Sequence, residues 1–144
     1  MAFDVERLLR LWTDPLPTDD ASAAAAFGEL YTDPVTVNGT PLPVSDLVGR
    51  ARVLQGALER PEREVLAVAD AGDSVAVAVA FRLAGRQVGP LDTPAGRLPP
   101  TGEWIDVRII DVLTLSDGRV TEIRMVADWL PALAVAGALR ISEG

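Results

Sequence analysis

The sequence predicts an α+β domain: helices first, then a curved antiparallel sheet with helices on one face. Three observations carry this. Apolar residues recur at helical spacing through most of the first 60 positions, the period changes to two after Pro61, and turn residues cut that second part into long strands. With 144 residues the chain has the length of one domain, typically ~100–150 residues. No repeat or linker divides it, so residues 1–144 are read as a single unit.

The elements follow in order. Phe3, Val5, Leu8, Leu9, Leu11 and Trp12 lie on one helical face over 3–12, and Pro15 and Pro17 stop that helix. Asp19 and Asp20 are candidate N-caps for a second helix over 21–30, which carries Phe27 and Leu30. Tyr31-Thr32-Asp33-Pro34 reads as a stop, 35–38 as a short strand and 39–43 as a loop. Ser45 is expected to cap a third helix whose buried stripe is Leu47, Ala51, Leu54 and Leu58. Strands are expected over 65–69 and 75–81, joined by a turn at 71–73. Residues 89–102, rich in Gly and Pro, read as a long loop. Strands over 104–115 and 120–127 are closed by a three-residue Ser116-Asp117-Gly118 turn. A last helix starts at Asp128 and runs through Leu133 to Leu139.

Composition narrows the chemistry. Thirteen basic residues, every one an Arg, stand against 21 acidic ones, for a net charge of −8. Such a chain is a poor ligand for nucleic-acid phosphates or anionic lipid. No run approaches the ~18 apolar residues of a membrane span, and Met1–Glu6 has neither the basic start nor the apolar stretch of a secretory signal, so the expected location is the cytoplasm. Cys and His are both absent, which removes disulfides, thiolate nucleophiles, imidazole bases and the usual zinc ligands. Any catalysis must use carboxylates, Arg, amides, hydroxyls or rings.

One carboxylate stands out. On the strand over 104–115 one face reads Ile105, Val107, Ile109, Asp111, Leu113, Leu115. An ionised carboxylate costs several kcal/mol or more to bury without partners, so Asp111 either finds a donor or keeps its proton. A proton-holding acid in an apolar site is what enol and carbonyl chemistry uses; an Arg or backbone partner is the structural alternative. The three-residue turn would set Asp111 opposite Ile123, with Met125 and Ala127 extending the apolar wall. Asp128 is a helix N-cap, or an acid at the cavity mouth. Asn38, before Gly39, is a turn former or a donor to a substrate oxygen. Gln87 could supply an amide. Trp12, Tyr31 and Phe81 are core residues or rings that stack on a ligand. The set expected to meet a ligand is Asn38, Gln87, Trp12, Tyr31, Phe81 and Met125.

Several segments carry a family resemblance. Gly89-Pro90-Leu91, Leu98-Pro99-Pro100-Thr101-Gly102, Val107–Val112, Asp117-Gly118-Arg119-Val120 and Val126–Leu133 together resemble the C-terminal half of SnoaL-like polyketide cyclases, and Leu30–Val37 is similar to the first strand of their NTF2-like superfamily. The resemblance implies a cone-shaped α+β fold, its sheet curved around a deep apolar pocket with the N-terminal helices on the concave face, often as a homodimer packed through the sheet. It implies that Asp128 matches the cyclases' acid/base at the end of the last strand. Asp111 matches the position where ketosteroid isomerases place an oxyanion-stabilising acid. The isomerase base falls near Asn38-Gly39, where this chain has no carboxylate, and Gln87 stands in the segment where the cyclases commonly have a His. Limonene epoxide hydrolases are similar in outline, but their Arg–Asp pair is not matched, and Met125 occupies the place of their last-strand Asp.

The expectation is a cofactor-free, metal-free acid/base cyclase or isomerase for a hydrophobic, carbonyl-rich small molecule, a polyketide intermediate in type. Asp111 and Asp128 are its catalytic pair and a homodimer its assembly. The alternative is a module of the same fold that binds a ligand or a protein without turnover.

Overall fold

A computed structural model describes residues 3–72, 75–139, 141 and 142. The chain runs α1 (Val5–Thr13), α2 (Asp20–Gly28), β1 (Tyr31–Val37), β2 (Thr40–Leu42), α3 (Val44–Ala57), β3 (Leu58–Asp70), β4 (Ala76–Gln87), β5 (Leu91–Thr93), β6 (Gly96–Leu98), β7 (Trp104–Ser116), β8 (Arg119–Asp128) and α4 (Leu130–Val135). Six strands form one sheet in the order β2-β1-β8-β7-β4-β3, and β5 and β6 pair as a separate hairpin. All pairings are antiparallel except β1 with β8. The α+β class stands: α1 and α2 pack on α3 and on the sheet's inner face, and α4 on β7.

The capping chemistry of the first two helices follows from their acids. Asp4 accepts from the Arg7 backbone N–H at 3.0 Å, and Asp19 from that of Ser22 at 2.8 Å. The third helix departs from expectation. Its N-cap is Pro43, and Ser45 lies inside the first turn. Asp33 instead receives the Val44 N–H, at 3.1 Å from across the β1–β2 turn. Leu58, expected on that helix, is the first residue of β3.

Pairing lengthens the strands beyond their local signals. Residues 31–34, expected as a stop, belong to β1, and the expected loop 39–43 contains β2. β3 starts seven residues before its expected beginning because Leu58 and Glu59 already pair with Gln87 and Arg86; Pro61 is tolerated at an irregularity of this edge strand. Asp73 of the expected turn lies outside the described residues. The β7–β8 turn has two residues, Asp117 and Gly118, both with positive φ (50° and 77°), as the hairpin's twist requires. A bulge follows, and Asp111 comes opposite Met125, not Ile123. The shift is two residues, so each side chain keeps its face. The last helix ends at Val135, short of Leu139.

Residues alternate cleanly between faces on the central strands. Val77, Val79, Phe81 and Leu83 on β4 and Ile105 through Leu115 on β7 turn every second side chain into the core. The outer face carries Ala80, Ile110 and Val126 in one row, Ile110 55% and Val126 74% exposed. No helix among the described residues is long and apolar enough to cross a membrane.

Candidate functional site

Asp111 sits at mid-strand on β7, on the inner face between Val79 of β4 and Met125 of β8. It is 7% exposed, and its Oδ1 is buried with no hydrogen-bond partner. Burial pushes its carboxyl up to about 7. No Arg or backbone N–H satisfies that oxygen, so the structural alternative fails there. Holding such a group stabilises neither core nor sheet: an unsatisfied buried polar atom costs roughly 1–3 kcal/mol.

Three rings from three elements close over this part of the core. Tyr31, first residue of β1, is buried, and its hydroxyl accepts the Trp12 Nε1–H at 2.9 Å. Phe27 of α2 stacks on Tyr31 at 5.8 Å and meets Trp12 edge-on at 5.4 Å. Burial raises the Tyr31 phenol, the Trp12 bond works against this, and the nearby Asp111 charge raises it further. Tyr31 therefore keeps its proton, and the bond from Trp12 occupies only a lone pair. The hydroxyl keeps a proton that it can donate.

Asn38 follows β1 as the first residue of the β1–β2 turn, with φ +47°. Its Oδ1 accepts the Met125 N–H at 2.8 Å, and its own N–H bonds the Ile123 carbonyl at 2.9 Å. It is thus a turn former and also a clamp on the residue opposite Asp111. With its oxygen on the Met125 N–H, the side chain has its amide nitrogen left to donate. Phe81 is buried on β4 opposite Ile109, one inner position along from Asp111.

Gln87 departs from the expected role. It is 0% exposed. Its Nε2 donates to the carbonyls of Gly89, Leu98 and Pro99 at 3.1–3.3 Å, and its Oε1 accepts from the Thr101 hydroxyl at 2.8 Å. The amide is fully used in tying down the 89–102 segment, which leaves nothing to orient a substrate. Gly89 belongs to the same device: a Cβ there would lie 2.5 Å from the Gly56 carbonyl oxygen.

The expected pair of acids does not converge. Asp128 is exposed and registers with Arg108 on the outward face, while Asp111 lies on the inner one. Its Oδ1 accepts the Leu130 N–H at 3.3 Å, a capping-type contact, although Trp129 is the N-cap residue of α4. The structure therefore brings together Asp111, Tyr31 and Trp12, with Met125 and Asn38 at the rim, and leaves Gln87 and Asp128 outside that group. Among the described residues no cluster of three or more metal-ligating side chains occurs.

Neither of two cavities beside α1 is the deep pocket implied by the resemblance, since neither is lined by Asp111 or Tyr31. The gap beside Trp12 measures about 10 Å³ and is lined by Leu54, Gln55, Leu58 and Leu83 among others. A larger cleft of about 320 Å³ lies on the far side of α1, among Arg7, Arg10, Leu16 and Glu29, and touches none of the site residues. Sequence reasoning missed Arg63, which ties α1 to β3. Its only signal was an Arg on a strand facing a helix end 50 residues earlier.

The family model of the SnoaL-like domain matches residues 5–123. The chain belongs to the SnoaL-like family. A solved protein of Jannaschia sp. CCS1, provisionally named a SnoaL-like polyketide cyclase, is 27% identical over 94% of this chain and 92% of its own, with a TM-score of 0.68. TsrD from Streptomyces laurentii is 18% identical, covering 96% of this chain and 100% of its own, with a TM-score of 0.70. IdmH from Streptomyces antibioticus, also provisionally named a polyketide cyclase, is 19% identical over 82% and 89%, with a TM-score of 0.61. No curated protein matches the sequence. The likeness to the last two extends to the fold alone, so what this SnoaL-like chain does must be argued from its own Asp111 site.

Proposed function

We propose that this protein is a cofactor-free acid/base cyclase or isomerase acting on a hydrophobic, carbonyl-rich small molecule of the polyketide type. One observation carries the reading: a buried carboxyl on the inner face with an oxygen that nothing among the described residues satisfies. A carboxyl held near neutrality is populated both as base and as acid at physiological pH, which suits moving one proton between two atoms of one substrate. Asp111 takes a proton from an acidic carbon or hydroxyl and returns it after the bond shifts. Tyr31 donates its hydroxyl proton toward the oxyanion that develops meanwhile, and the Asn38 amide orients a second carbonyl at the lip. Acid/base assistance supplies ~10²–10⁴-fold, and an oxyanion donor about 3 kcal/mol more. That is enough for a substrate already inclined to enolise. The provisional cyclase names of the Jannaschia and Streptomyces antibioticus proteins agree with this class.

The test is deuterium incorporation from solvent at the α-carbon of a bicyclic β-diketone, followed by NMR. The wild type is expected to accelerate it and Asp111→Asn to abolish the acceleration while still binding the compound. A wild type that binds the compound without accelerating exchange would make this chain a binding module, and an Asp111→Asn protein as active as wild type would take the reaction away from Asp111. We propose further that two copies pair through the outer face, where Ala80, Ile110 and Val126 lie in one row. Sedimentation of Val126→Arg, expected as a monomer against a wild-type dimer, checks it.

A further inference from the structure

We propose that Trp12 is the stopper of the inner site: its indole occupies the place of a flat bicyclic ligand, and Arg63 latches it there. This rests on reading Asp111 as the reactive group.

Room is the first argument. A ligand pocket typically has ~300 Å³ or more. Asp111 is 7% exposed with its Oδ1 buried, and neither the cleft beside α1 nor the small gap beside Trp12 is lined by it, so a side chain must move before a substrate can reach it.

Position is the second. Phe27 and Tyr31 are 0% and 1% exposed and belong to α2 and the sheet. Trp12 is the outermost of the three rings. It is half-buried, yet its Nε1–H reaches a hydroxyl sealed in the core. The indole therefore runs from the surface to the neighbourhood of Asp111, as a plug does. It is carried on a nine-residue helix followed by Asp14–Thr18, a stretch without regular structure that includes Pro15 and Pro17.

The attachment is the third. The C-terminal end of α1 is held by polar contacts near the surface. Arg63 Nη1 donates to the Thr13 hydroxyl at 2.6 Å and to Asp14 at 3.0 Å, and its Nε lies 3.8 Å from Glu6. Gln55 Nε2 donates to the Trp12 carbonyl at 3.1 Å. Each of these can be exchanged for water at little cost. The strands that form the opposite wall are bonded on both sides and cannot yield so cheaply.

The occupant's chemistry follows from what the indole leaves behind. Its departure uncovers a bicyclic apolar slot with the Tyr31 hydroxyl at one point of the rim. The complementary ligand is planar, about two fused rings in size, with one hydroxyl or carbonyl oxygen where the indole nitrogen was. In the closed state its affinity is reduced by the fraction of open molecules.

2-Naphthol meets this description and its fluorescence reports binding. We expect it to bind Trp12→Ala at least about tenfold more tightly than wild type, because the opening cost is gone. In Arg63→Gln, which leaves the core intact, the association rate should rise about tenfold, and hydrogen exchange of the α1 amides should quicken while β7 is unchanged. Equal affinity for Trp12→Ala and wild type, or no binding to either, overturns the proposal; the first would mean that ligands pass the lip at Met125 without moving the indole. Exchange that quickens equally in α1 and β7 overturns the latch. Naphthol binding needs no proton transfer, so an inactive role for Asp111 would appear in the deuterium assay and leave this result untouched.

Discussion

Gln87 and Asp111 are the two buried polar side chains among the described residues, and they have opposite fates. Gln87 gives its amide hydrogens to three carbonyls and receives the Thr101 hydroxyl. Asp111 has a buried oxygen with no partner. A satisfied buried amide is a fastening, and its chemistry is exhausted by the protein. An unsatisfied buried acid carries a cost that only a bound partner removes. Burial therefore distinguishes neither structural from functional polar residues; the ledger of their hydrogen bonds does.

The comparison is tested most severely at Asp111. Asp111→Asn should lower turnover by ~10²–10⁴-fold with ligand affinity largely kept, measured by steady-state kinetics beside direct binding. Its pH dependence gives the next effect. The folded carboxyl titrates at about 7 against an ordinary value of 3.8, so between these pH values the folded protein holds more protons than the unfolded chain. Stability must then fall as pH rises from about 4 to about 7 and level off above, by a few kcal/mol at most. Urea unfolding across that range should show this component in wild type and lose it in Asp111→Asn.

The fastening should respond in stability alone. Gln87→Leu strands several carbonyls and a hydroxyl, and a loss of about 3 kcal/mol is expected in chemical denaturation. Gly89→Ala presses a methyl group against the α3 end and should cost about 1–3 kcal/mol by the same measurement. Asp128→Asn should be the mildest, within about 0.5 kcal/mol in stability because its capping-type contact is exposed, and within about twofold in turnover. A large kinetic loss there would put the reaction on the other side of the sheet.

Much of this was legible beforehand. Alternation around Asp111 placed one acid in an aliphatic row, and a register error of two residues left that conclusion intact because strand faces repeat every two. Asp19 could be read as a cap because capping is local. For Asp128 the same alternation already pointed outward, one residue beyond the inward Ala127; only its place at the strand end suggested a cavity mouth. Gln87 escaped because its partners, the carbonyls of 89, 98 and 99, are backbone groups with no signature in side chains. β2, β5 and β6 have three residues each, too few to show a period. The closed interior depends on how Trp12, Phe27 and Tyr31 meet from three separate elements.

The parallel pairing of β1 with β8 joins Tyr31 to Val120. During synthesis the helical N-terminal third leaves the ribosome long before its neighbour in the sheet exists. Its sheet partner is supplied only by the β7–β8 hairpin, which also carries Asp111. Contacts between such distant parts of the chain slow assembly, and the acid's unusual character exists only where they have been made.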